Sequence, residues 1–199
     1  MIARVFKILL VLALVSSVAE FAPEAAAQES IRLPDPVKTG GLPLNEALAA
    51  RHSARKFKPD QLSRETLSGI LWAAFGVNRE DGKRTIPTAR GKNELQVYAV
   101  LSTGVYLYDP EKNTLELALE GDFTKNYDPQ APLTLLYAAP DKVLGGLHAG
   151  SAYQSVGLYA ASSGLSNVVK VTGVDELKDK LKLPEGYAVL AVHTLGLPD

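Results

Sequence analysis

The sequence predicts one α+β domain, a β-sheet with helices packed on it, following an N-terminal export signal. Two patterns carry that fold: segments with apolar residues at helical spacing alternate with short runs of strand composition, and three of the strand runs follow one another through tight turns. Cysteine is absent from all 199 residues, so the core must be held by packing.

Taken in order, residues 28–42, with Pro34, Pro36, Gly40 and Gly41, read as an irregular arm. Pro43 suits a first helical position, and Leu44 and Leu48 share one face of a short helix ending near Arg51. A longer helix follows: Ser63 caps it, Leu67, Ile70, Leu71 and Ala74 recur at helical spacing and should be buried, and Gly76 stops it. After a polar, turn-rich stretch at 78–94, residues 95–101, 105–108 and 115–119 form a three-strand meander. Residues 133–138 read as a fourth strand, 149–163 as a helix rich in small residues and stopped by Gly164, 165–171 as an extension beyond it, 175–181 as a last helix and 187–194 as a closing strand.

Composition narrows the function classes. Arg4 and Lys7, the 12-residue apolar run from Ile8 to Ala19, and the small residues Ala25, Ala26 and Ala27 have the order of a secretory signal. That run is shorter than the roughly 18 residues a membrane-spanning helix needs. Residues 1–27 are therefore expected to be removed, leaving an exported chain, periplasmic or extracellular, with no membrane attachment. The remaining 172 residues suit one domain at 43–199 behind the arm. Net charge is −1 with basic residues scattered, which argues against nucleic acid as a partner. The three histidines, His52, His148 and His193, have no metal-ligand spacing, and no metal is expected.

Two segments could carry chemistry. Arg51, His52, Ser53, Arg55, Lys56 and Lys58 cluster just after the first helix. Guanidinium forks suit a phosphate, although cations at a helix C-terminus also complement the helix dipole. The stretch Lys83, Arg84, Thr85, Ile86, Pro87, Thr88, Ala89, Arg90 is a proline-led turn whose small residues let a planar ring approach the backbone, or an ordinary surface loop. Trp72 and Phe75 read as core or core-edge residues. Tyr98, Tyr106 and Tyr108 read as cross-strand packing, and Gly150, Ser151, Ala152, Ser155 and Gly157 as close helix packing.

In sequence order, Arg51-His52-Ser53-x-Arg55-x-Phe57, Leu71-Trp72-Ala73-Ala74-x-Gly76-x-Asn78-Arg79, Arg84-Thr85-x-Pro87-Thr88-Ala89, Gly104-Val105-Tyr106, Gln154 with Leu158-Tyr159-Ala160-Ala161, and Leu195-Gly196-Leu197-Pro198 resemble the nitroreductase family of FMN-dependent oxidoreductases, and its compact SagB-type dehydrogenase-like members most closely. The resemblance implies a nitroreductase-like fold, a central, mostly antiparallel sheet with helices on both faces. It implies FMN bound between two copies of the chain, a homodimer built on the central helix, and hydride passing through flavin N5 to or from a small organic substrate. It assigns Arg51, His52, Ser53 and Arg55 to the FMN phosphate and ribityl chain, Pro87, Thr88 and Ala89 to the flavin, and Val169, Lys170 and Val171 to the reactive edge of the ring. No side chain need act as acid or base, since the flavin carries the chemistry. Larger members carry asparagine at the position of Gly91 and glutamine at that of Asn93, which joins the cofactor-binding set, and they have a helical excursion where this chain has a short loop between Leu119 and Leu133. The alternative is a non-catalytic relative that keeps the fold and holds flavin weakly or not at all.

Overall fold

In a computed structural model of the protein, which describes residues 30–140 and 142–199, the first element is a strand within the expected arm. This strand, β1 (Ser30–Arg32), pairs with a later one at the sheet edge, so the arm is only partly irregular. It is anchored from across the fold: Asn113 Nδ2 donates to the Pro34 carbonyl at 2.9 Å, and the buried Ser68 hydroxyl donates to the same oxygen at 2.6 Å. Those bonds were invisible to local pattern, because their partners lie far away in the chain. The expected signal segment lies outside the described residues.

Helix α1 (Leu44–Ala50) and helix α2 (Arg64–Phe75) fall where the spacing places them. Ser63 caps α2, its hydroxyl accepting the Thr66 N–H at 3.1 Å, and Gly76 follows its last turn. Leu67, Ile70, Leu71 and Ala74 are all buried, which makes α2 a helix fixed by one apolar face. Strands β2 (Gln96–Leu101), β3 (Gly104–Asp109) and β4 (Thr114–Glu120) form the predicted meander, and β5 (Leu133–Ala139), β6 (Ser166–Lys170) and β7 (Ala188–Gly196) complete an antiparallel sheet of order β1-β4-β3-β2-β5-β7-β6. The 121–132 connection carries only a short 3₁₀ turn (Thr124–Asn126).

The central helix α3 (Lys142–Ser162) begins well before the expected position 149. Its first turns include Gly145, which lies where the helix presses on the sheet: a Cβ on it would stand 2.6 Å from the Ala139 Cβ and 2.9 Å from the Leu190 Cδ1. The glycine is a packing choice rather than a helix stop.

Strand alternation sends side chains into two cores. Val97, Ala99, Tyr106, Tyr108, Leu133, Leu135 and Tyr137 pack under α2 and α3. Tyr98, Val100, Val105, Leu136, Ala138 and Val192 face the other way, against Tyr127, Leu177 and Leu181. That second face corrects an expectation. The helix expected at 175–181 is a series of turns, and the three α-helices among the described residues all belong to the first face, not to both. A short segment between β6 and β7 needs only Leu177 and Leu181 to cover the sheet, and turns deliver both. Among the described residues, no helix is long and apolar enough to cross a membrane.

Candidate functional site

The basic cluster after α1 is laid against the end of the sheet by main-chain bonds. Ala54 N–H donates to the Asn167 carbonyl on β6 at 2.8 Å, and Lys58 N–H donates to the Leu197 carbonyl at 3.0 Å, with Phe57 and Pro198 bridged. The Arg51 side chain, half-buried, runs beside Gly157 of α3, whose ideal Cβ would sit 3.6 Å from its Cδ. His52 donates its Nδ1–H to the Ala50 carbonyl at 2.8 Å, while Ser53 and Arg55 are exposed. Among the described residues neither Arg51 nor Arg55 forms an ion pair. A cleft of about 260 Å³ opens between this segment, the end of α3 and β6, with His52, Ala54, Gly164 and Asn167 in its walls.

Beneath the cluster lies a buried polar chain that sequence reasoning did not single out. Tyr137 and His193 are both fully buried and meet through the Tyr137 hydroxyl and His193 Nδ1 at 3.2 Å, while His193 Nε2 lies 3.0 Å from Asn167 Oδ1. Burial holds the His193 imidazole neutral, its pKa pushed down to about 3, and drives the Tyr137 phenol well above its ordinary value. A neutral imidazole has one donor and one acceptor. Nε2–H therefore donates to Asn167, and Nδ1 accepts from Tyr137. The chain ends on the residue whose carbonyl holds the backbone between Ser53 and Arg55. Its one sequence signal was a histidine set among Ala, Val and Thr in a buried strand.

The residues assigned to the ring's reactive edge diverge. Val169 packs into the helix-side core, Lys170 turns to the opposite face and donates from Nζ to the Asp128 carbonyl at 2.7 Å, and Val171 is exposed. That alternation is what a strand imposes.

The proline-led turn is held by a different part of α3. Ala89 N–H donates to His148 Nε2 at 2.8 Å, and His148 is buried. The Thr88 hydroxyl reaches Asn93 Oδ1 at 3.3 Å, and Pro87 and Asn93 are exposed. Gly91 adopts a φ of +68°, a left-handed conformation that glycine takes without steric cost. Replacing His148 by leucine orphans the Ala89 amide. It is expected to cost about 1–3 kcal/mol, read in urea unfolding, with faster hydrogen exchange across residues 88–91.

The two segments lie on opposite sides of α3. Gly157 and His148 are nine residues apart on that helix, which is about 13.5 Å of rise and two and a half turns. Within one chain the basic cluster and the turn are thus separated by the helix rather than brought to one cavity. Beside them the surface is apolar: Leu147 of α3 is 63% exposed and Leu44 of α1 is 64% exposed. From Val143 to Ser162, α3 carries no Lys, Arg, Asp or Glu.

The sequence profile of the nitroreductase family matches residues 48–197. A Methanocaldococcus jannaschii protein assigned as a nitroreductase is 31% identical over 183 residues, spanning 78% of this chain and 90% of that one. The crystal structure of a protein from Ralstonia eutropha JMP134, likewise assigned, superposes with a TM-score of 0.79 at 32% identity, covering 87% of this chain and 91% of the other. An FMN-dependent nitroreductase from Clostridium difficile R20291 shares the fold at 21% identity, with a TM-score of 0.55 over 78% of this chain and 87% of that one.

Proposed function

The chain belongs to the nitroreductase family, and from that premise we propose that it is an exported FMN-dependent oxidoreductase acting on a small organic substrate. The observation that carries the reading is the disposition about α3. A cluster with two guanidinium groups, Arg51 and Arg55, that form no ion pair among the described residues lies on one side, and the Pro87-Thr88-Ala89 turn lies on the other. Two copies packed along their central helices would set the cluster of one against the turn of the other, and the uncharged surface of α3 with Leu147 and Leu44 suits burial in such a homodimer.

The residues fit the cofactor. Arg51 and Arg55 supply charge and planar donor forks for a phosphate, Ser53 an exposed hydroxyl, and His52 a ring already fixed by the Ala50 carbonyl. Pro87, Thr88 and Ala89 offer a small-residue wall for the ring, with Asn93 tied to Thr88, and the backbone of 169–171 runs off the end of the edge strand β6. Bound FMN supplies the hydride chemistry. The chain's own part is to grip the phosphate, orient the ring and exclude water, and none of these tasks needs a titrating side chain.

Two observations favour the second reading, a non-catalytic relative with weak or no flavin. The Ala89 amide is already taken by His148, and Gly91 has no side chain to offer the ring. The protein purified after signal removal decides between them: yellow absorbance with one FMN per subunit and a dimer in sedimentation supports the enzyme, and a colourless protein that ignores added FMN supports the alternative. Reduced nicotinamides are kept in the cytoplasm, so an exported enzyme is expected to take electrons from a quinone, a redox partner or its substrate. Steady-state assays with several reductants check this, and saturable turnover at low NADPH contradicts it.

A further inference from the structure

Next to the proline-led turn lies a second cleft, of about 460 Å³. Its walls include Arg79, Asp81, Lys83, Arg84, Thr88 and Asn93. Nothing in the flavin reading uses the first four.

The polar groups of this cleft are mostly donors. Its one carboxylate, Asp81, is committed: Lys83 Nζ lies 2.6 Å from Oδ2, and Lys83 N–H donates to Oδ1 at 3.3 Å. Arg79 donates from Nε to Asn78 Oδ1 at 3.2 Å, and among the described residues its guanidinium meets no carboxylate. Thr88 uses its hydroxyl hydrogen on Asn93 Oδ1, which leaves the Asn93 amide N–H groups to donate.

Arg84 adds an independent observation. Its side chain is 8% exposed, pairs with Glu111 at 2.8 Å, donates to the Gly82 carbonyl at 3.1 Å and lies over the Phe75 ring, yet its Nε remains buried without a partner. Three cations, Arg79, Lys83 and Arg84, thus stand against two carboxylates, Asp81 in the walls and Glu111 outside them, and Arg79 is left without one among the described residues.

We propose that this cleft binds an organic anion, a small molecule bearing a carboxylate or phosphate, which Arg79, Lys83 and Asn93 hold beside the Pro87-Thr88 turn. Because Thr88 belongs both to this cleft and to the wall assigned to the ring, an anion held here would lie beside the bound flavin. That last step rests on the FMN reading. The binding itself does not.

Calorimetric titration of the FMN-loaded protein with benzoate and with benzamide, its neutral counterpart, tests the inference. Charge-assisted hydrogen bonds predict at least about tenfold tighter binding of benzoate, weakened by added salt. In the Arg79→Ala/Lys83→Ala double variant the preference falls below about twofold, while Arg79→Lys retains much of it and Lys180→Ala, a charge removed on the other sheet face, retains all of it. FMN content stays unchanged throughout. Phenyl phosphate, titrated alongside, tells whether the site favours carboxylate or phosphate. Equal affinities for benzoate and benzamide in the parent, or a preference that survives in the double variant, overturn the proposal. If the parent takes up no FMN, the flavin reading fails by itself, and titration of the flavin-free protein still decides whether the cleft selects anions.

Discussion

Replacing Arg51 and Arg55 together by alanine is expected to yield a folded, colourless protein. Each charge-assisted hydrogen bond to a phosphate is worth about 1.5–3 kcal/mol, so loss of both weakens FMN binding by about two to four orders of magnitude. The two arginines are not equivalent. Arg55 is exposed, and its removal changes little but the cofactor, whereas Arg51 lays its stem along Gly157 and also contributes packing. Arg55→Ala alone should therefore lower affinity without lowering stability, and Arg51→Lys should keep the charge while losing the planar fork. Fluorescence titration of FMN, run beside thermal unfolding, separates these effects. A double variant that holds FMN as tightly as the parent would sink the phosphate assignment.

The second large effect comes from His193. Its pKa is about 3 in the folded protein because burial disfavours the charged ring, against about 6.5 in an unfolded chain. Between those values the unfolded state binds the extra proton, so stability is fully present above about pH 6.5 and declines as pH falls, by roughly 1.4 kcal/mol per unit at the steepest. Urea unfolding from pH 4 to 8 measures the slope. His193→Gln keeps an amide donor for Asn167 and removes the titration, so its slope in this range should be shallower. His193→Leu removes the titration too, but orphans the Tyr137 hydroxyl and Asn167 Oδ1, at about 1–3 kcal/mol each. It should also loosen the backbone at Ala54, seen as weaker FMN binding. An unchanged slope in the glutamine variant would show that other groups govern the acid limb.

Much of the fold was legible because it is written locally. The Ser63 cap, the spacing of Leu67, Ile70, Leu71 and Ala74, and the turns of the meander each act within a few residues, and each appears where the pattern placed it. What was misread depended on distant partners. β1 exists because Asn113 and Ser68 reach the arm, and α3 extends through Gly145 because the sheet lies against it. At 175–181 the apolar spacing was read as a helix, but two buried leucines on a series of turns satisfy it equally.

The candidate site divides along the same line. By itself the sequence determined which chemical groups are present, the guanidinium cluster and the proline-led turn, and the order of motifs that marks the family. Only the tertiary structure decided that α3 stands between those groups, that His148 occupies the Ala89 amide, and that His193 carries a buried chain from Tyr137 to Asn167. Side-chain type is a property of one residue, whereas burial, separation and hydrogen-bond partnership arise only when remote segments of the chain are packed together.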